Sequence, residues 1–382
     1  MITKQQRHKK RMTHRVASVV ILAIVVSSCS STDSQSQSDC ADGVKIAFVG
    51  SLTGIDGGFS NNVKRGLDLS VAEHNDANKD QPILVEAFDT QGDIEKADDL
   101  ADRVIADLCV IGVVGPLSSA EAAVMSPKFD AANLTMISPS ATDAALVTNG
   151  WDVFHRVPAG NDQLGVAAAR RIIGDGRTKV GVVDDGSVYG KYQADIVRST
   201  LGERVVELNT LSPEDSNYTK TVSDARNEGI DAVFFGGSFN AAGKLMRQLT
   251  DAEVMATFYA GDTAKDVGFL NTAGPSAEGA VFACSCAPPT INPDFLAAFQ
   301  SRFDGETPST FAAEAYDAAS VFIAGIKSDV VTRIDMLAFV NSYDAAGVTN
   351  QLRWTEKGEV ANPVAYFYEV INGAIESVGS SR

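Results

Sequence analysis

The sequence predicts an α/β fold made of two doubly wound, parallel-sheet lobes. Three observations carry that expectation. Short apolar runs alternate with amphipathic segments along most of the chain. The runs fall into two groups, with a break near Val157-Pro158. About 340 residues follow the tether, in a chain of 45% hydrophobic composition, and are enough for two cores.

The elements follow in order. Runs at 44–50 (VKIAFVG), 83–89 (ILVEAFD), 110–115 (VIGVVG) and 134–138 (LTMIS) read as one set of strands. Runs at 179–185, 204–211, 231–237, 256–261 and 279–284 read as a second. Most are continuously apolar, as strands covered on both faces must be. Helical patterns lie between them, at 62–75, 94–108, 121–132, 163–173, 189–201, 218–228 and 241–249. Strand, helix, strand in repetition implies right-handed crossovers. Near the C-terminus LRW and AYFYEVINGAIESV read as added strands, and Asn372-Gly373 is a hairpin signal. No repeat of solenoid length occurs.

The N-terminus has its own character. Six basic residues precede Val16 and no acid does, and 16–26 is then uncharged and mostly apolar. A basic start, a short apolar core and small residues at its exit make a secretory signal, too short for a membrane span. Cys29 follows, and 30–39 holds no apolar residue and reads as a flexible tether. With residues 1–28 removed, 26 basic residues face 49 acidic ones, a net charge of −23. Such a surface repels phosphate backbones, so nucleic acid is excluded as a partner.

The usual chemistry of catalysis is missing. Beyond the signal only His74 and His155 remain, neither in a zinc motif. There is no phosphate-binding P-loop, no GxSxG and no ordered GxGxxG. A binder with no cofactor and no metal is the expectation, not an enzyme. An exported α/β hydrolase would need a nucleophile–base pair that these residues do not supply. Four cysteines follow Cys29, namely Cys40, Cys109, Cys284 and Cys286. An even count in an exported chain points to disulfides, and three connectivities exist. Cys284-Ser285-Cys286 has room for a soft metal, but a local disulfide is favoured.

The candidate site lies at strand ends, where ligands of open parallel sheets collect. VIGVVG runs into PLSSAEAA, in which Ser118 and Glu121 have capping-box spacing and Ser119 stands at the helix mouth. LTMIS runs into PSATDAAL, where Ser140 and Thr142 precede a short helix. Hydroxyls and free N–H groups at positive helix ends suit a carboxylate, although ordinary capping would use the same residues. In the second group Tyr189 and Asp262 follow strand ends. Asp262 is placed to pair with an ammonium or to cap the helix after it.

With these residues in view, the chain resembles the solute-binding proteins of branched-chain amino-acid ABC transporters. The resemblance covers residue 44 to the C-terminus. It is carried by IAFVGSLTG, VVGPLSSAEA, ISPSATDAAL, VFHRVP, VVDDGSVYG, VFFGGS, AGD and SAEGAVF in that order. Val26-Ser27-Ser28-Cys29 likewise resembles a bacterial lipobox, which implies a lipidated Cys29 at the membrane's outer face. The family implies the type I periplasmic-binding-protein fold, with two lobes joined by three crossover segments. Lobe 1 would comprise 44–157 plus 287–348, and lobe 2 158–286 plus 349–379. It implies that Ser119, Ser140, Ala141 and Thr142, beside Ser118, hold a carboxylate. Asp262 would hold the ammonium, Tyr189 would cover the ligand and Phe59 would line the pocket. Phe59 lacks a hydroxyl often found there, and Ser238 replaces an aromatic, so the side-chain specificity departs from the leucine-binding type. In this fold Cys40 and Cys109 precede strands that can be neighbours, so their pairing is geometrically reasonable. A Cys284–Cys286 bridge would stiffen a hinge. The implied function is capture of a small amino-acid-like solute by a monomer that docks on a permease with its ATPase subunits. A sensor domain, or a binder of urea, an amide or an aromatic acid, is the alternative.

Overall fold

The structure is a computed structural model and describes residues 40, 43–54 and 57–381. The signal segment, Cys29 and the tether lie outside the described residues.

The first sheet contains β1 (Lys45–Gly50), β2 (Leu84–Asp89), β3 (Val110–Val114), β4 (Met136–Ser138) and β5 (Phe154–Arg156), in the order β2-β1-β3-β4-β5. All its pairings are parallel. Helices α1 (Gly57–Ala77), α2 (Ile94–Ala106) and α3 (Ser119–Ala131) make its crossovers. Along β1, Ile46 and Phe48 join Val63 and Leu67 of α1 on one face. Ala47 and Val49 join Leu100, Met125 and Phe129 on the other. This is the alternation a pleated strand imposes, and it makes both faces apolar.

The second sheet repeats the plan. The chain runs through α4 (Asn161–Gly174), β6 (Val180–Asp184), α5 (Val188–Leu201), β7 (Val205–Glu207), α6 (Thr219–Glu228), β8 (Ala232–Gly236), α7 (Phe239–Asp251), β9 (Thr257–Ala260), α8 (Val267–Ala273) and β10 (Val281–Cys284). After α9 (Pro293–Arg302), α10 (Ala312–Lys327), α11 (Arg333–Ser342), β11 (Ala345–Ala346) and β12 (Gln351–Leu352), it ends in β13 (Tyr366–Ile371) and β14 (Ala374–Ser380). The order is β14-β13-β10-β9-β8-β6-β7, with the last two strands antiparallel additions. Asn372 and Gly373, both at positive φ (53° and 76°), turn β13 into β14 as a two-residue hairpin demands.

Helix α10 returns to the first sheet and lies on α1. A Cβ on Gly66 of α1 would stand 1.9 Å from the Ala312 carbonyl oxygen, so only glycine permits this approach. The chain therefore passes between the sheets three times: after β5, after β10, and between α11 and β13. Cys40 pairs with Cys109 (Cα–Cα 5.6 Å) and Cys284 with Cys286 (5.1 Å).

Three expectations shift in detail. The run 204–211 yields only a three-residue edge strand, half-buried at Val205 and Val206. Of LRW only Leu352 lies in a strand, the two-residue β12, which pairs with β11 and not with either main sheet. A strand at Phe154–Arg156, with His155 and Arg156 fully buried, carries no apolar run to announce it.

Candidate functional site

On the first wall, two strand ends are stitched together by hydroxyls. Ser118 is the N-cap of α3. Its Oγ accepts the Glu121 N–H at 3.2 Å, and its own N–H donates to Glu121 Oε2 at 3.4 Å, closing the expected capping box. Ser119, one residue inside the helix, accepts the Asp143 N–H on its Oγ (3.2 Å). Ser138 donates to the Pro116 carbonyl (2.7 Å) and accepts the Ala141 N–H (2.9 Å). Ser140 donates to the Leu117 carbonyl (2.7 Å). Asp143, not Ser140 or Thr142, caps the short 3-10 turn at Ala144–Thr148. The Thr142 hydroxyl has no intramolecular partner among the described residues, while its carbonyl accepts the Asn161 N–H of α4 at 2.8 Å. The first-turn N–H groups of Ser119 and Ala120 have no helical acceptor. The wall thus offers donors at the positive end of a 13-residue helix. Phe59, in the first turn of α1, is 37% exposed and edge-on to Phe311 at 6.3 Å between centroids.

The second wall is acidic and phenolic. Tyr189, in the first turn of α5, donates its hydroxyl to Asp262. Asp262 opens a 3-10 turn after β9 but does not cap it with its side chain. Its other oxygen accepts the Ser285 hydroxyl at 3.5 Å. Burial pushes the Asp262 carboxyl up, against the Tyr189 hydrogen bond that favours the carboxylate. Burial and the neighbouring Asp262 charge drive the Tyr189 phenol well above its ordinary value. Ser238 is the N-cap residue of α7 without a side-chain cap, and its N–H donates to Asp185 Oδ2 at 2.9 Å. Phe239 follows it, 38% exposed.

Four residues that sequence reasoning did not single out lie near these elements. Lys265, three residues past Asp262, reaches Thr310 Oγ1 at 3.5 Å and lies 4.5 Å from the Tyr368 ring centroid. Glu314 and Asp317 occupy successive turns of the buried face of α10, each 1% exposed. Glu314 Oε1 accepts the Ala287 N–H (2.6 Å) of the second crossing segment. Asp317 accepts the Val348 and Thr349 N–H groups (2.7 and 2.9 Å) of the third. Desolvation raises Glu314 to about 8 and Asp317 to about 6. Arg156, fully buried, pairs with Glu359 and donates to the Asp143 carbonyl at 2.8 Å, bracing the first wall from behind. Acids three apart in an alanine-rich apolar helix were the available signal for the α10 pair. A groove of about 600 Å³ also exists between α4, α5 and β13, but no candidate residue lines it.

A family model described as periplasmic binding protein matches residues 43–374. The chain belongs to the periplasmic binding protein family. It is a binding protein, not an enzyme. Among curated relatives, this periplasmic binding protein is 28% identical over 291 residues to "Leu/Ile/Val-binding protein BraC3" of Rhizobium johnstonii, covering 74% of this chain and 79% of that one. It is 27% identical to an "Amino acid binding protein" of Pseudomonas aeruginosa, covering 91% and 95%. Its fold matches the Streptococcus pneumoniae branched-chain amino acid transporter substrate binding protein LivJ in complex with isoleucine. That match has a TM-score of 0.75, 24% identity, and coverage of 88% of this chain and 99% of the other. A solute binding protein from R. palustris in complex with benzoate matches with a TM-score of 0.69 at 19% identity, covering 89% and 96%.

Proposed function

We propose that this periplasmic binding protein captures a small amino-acid-like solute between its two lobes and delivers it to an ABC permease. One observation carries the reading. Each sheet presents the carboxyl ends of its strands with opposite chemistry, donors around Ser119 and Thr142 on one and the Asp262–Tyr189 acceptor on the other. A zwitterion complements both. Its carboxylate would meet the hydroxyls and N–H groups of Ser119, Ser140, Ala141 and Thr142, and its ammonium would meet Asp262. Phe59 and Tyr189 would cover the rest, with Ser118 and Ser238 at the margins. Closure then follows from contacts the ligand makes with both lobes at once. Lobe 1 is taken as 44–157 plus 287–348 and lobe 2 as 158–286 plus 349–379. The protein would act as a monomer outside the cytoplasm, held to the membrane by a lipidated Cys29.

A thermal-shift panel of amino acids, amides, urea and aromatic acids tests the ligand class. An amino acid at 100 times its Kd adds about 2.7 kcal/mol of stability. A panel in which amides or aromatic acids shift the midpoint and no amino acid does would defeat the reading. Cys29→Ser should move the protein from the membrane to the soluble fraction, and retention with the membrane would remove the anchor.

A further inference from the structure

Lys265 is the feature of this site that the zwitterion leaves unused. Its ammonium is carried by the same turn that presents Asp262, and it points to Thr310, the residue before the Phe311 ring that packs against Phe59. Three acids act on it, but none touches it. Among the described residues Lys265 forms no ion pair; its contacts are the Thr310 hydroxyl at 3.5 Å and the face of Tyr368. The acids acting on it from a distance are Asp262, Glu314 and Asp266. Asp266 is committed to capping α8, accepting the Gly268 N–H at 2.6 Å. Asp262 accepts from Tyr189 and Ser285, and on the reading above its remaining acceptor capacity goes to the ligand's ammonium. Glu314 is buried with one oxygen on the Ala287 N–H, and desolvation pushes its carboxyl up. Desolvation already lowers the Lys265 pKa.

Closing a cleft over an aliphatic side chain would strip water from this ammonium and give it no partner, which is costly. A side chain ending in an oxygen acceptor supplies the partner and makes the hydrogen bond charge-assisted. We infer that Lys265 sets the ligand class: an amino acid whose side chain ends in a carboxylate or amide oxygen, received by the Lys265 ammonium beside the Phe59–Phe311 wall. This rests on the amino-acid reading above and narrows it away from leucine, isoleucine and valine.

Titration calorimetry with glutamate, aspartate, glutamine, asparagine, leucine, isoleucine and valine tests it on the full protein. An acidic or amide amino acid should bind the wild type at least about 10-fold more tightly than any aliphatic one. The glutamate and glutamine arms tell which acceptor is preferred. Lys265→Met, of similar length, should erase about 10- to 100-fold of that preference, and Lys265→Arg should keep most of it. An aliphatic amino acid in first place for the wild type overturns the inference and leaves the amino-acid reading standing. An unchanged preference in a folded Lys265→Met protein also overturns it, since Lys265 would then only pack on Tyr368. If Lys265→Met does not fold, the wild-type ranking and Lys265→Arg decide. Binding of no amino acid at all removes both readings together.

Discussion

The two candidate walls, one at the strand ends of each sheet, are built by different means. The first is local: Ser118, Ser119, Ser138 and Ser140 bond to backbone groups within 24 residues of themselves, and helix geometry supplies the remaining donors. The second is assembled from distant pieces. Tyr189 and Asp262 are 73 positions apart, and the Lys265–Thr310 contact spans 45. The first wall is a property of its turns. The second exists only when the lobe and its crossing segments are folded around it.

The largest effect that would break this comparison concerns Arg156, which supports the local wall through a contact 203 positions away. Arg156→Met leaves Glu359 buried without its cation and should cost about 3–5 kcal/mol of stability. Urea unfolding that shows under 1 kcal/mol would mean the first wall stands without this brace. A smaller effect sharpens the contrast in binding. Asp262→Asn should weaken the best amino acid by roughly 2–3 kcal/mol, while Thr142→Val should cost only about 1 kcal/mol, because wall one shares its load among several donors. Equal losses in calorimetry would erase the distinction.

The smallest effect is a slope with pH. Glu314 and Asp317 have folded pKa values raised to about 8 and about 6, so the folded protein binds more protons than the unfolded chain between their ordinary values and these. Stability should therefore be fullest below about pH 4.5 for these groups and decline as pH rises toward 8. Glu314→Gln should flatten that decline in the melting temperature above pH 6. A wild-type melting temperature that rises from pH 6 to 8 in the same buffers, with Glu314→Gln showing the same slope, would remove the carboxyl from this account.

Much of the molecule is legible in the sequence. Continuous apolar runs marked β1, β3, β6 and β8, because strands covered on both faces have no polar side. The capping box at Ser118 and Glu121 and the turn at Asn372-Gly373 were readable because each is a short-range geometry with its own residue demands. Strand β5 was not, since Phe154–Arg156 buries a histidine and an arginine whose partners, Asn341 and Glu359, are supplied by the far end of the chain. Asp143 took the cap that Ser140 and Thr142 were equally able to fill, because Ser140 is drawn instead to the Leu117 carbonyl. Lys265 was invisible for the same reason as β5: a lone lysine has no periodicity, and its meaning comes from what folds over it.

The Cys40–Cys109 bond has a mechanical consequence. Residue 40 lies just ahead of β1, an interior strand of the first sheet, at the amino ends of the strands. Tension arriving through the preceding chain is shared at once between the roots of β1 and β3, two adjacent strands of one sheet. The load therefore enters at two paired interior strands of the sheet and does not unzip an edge.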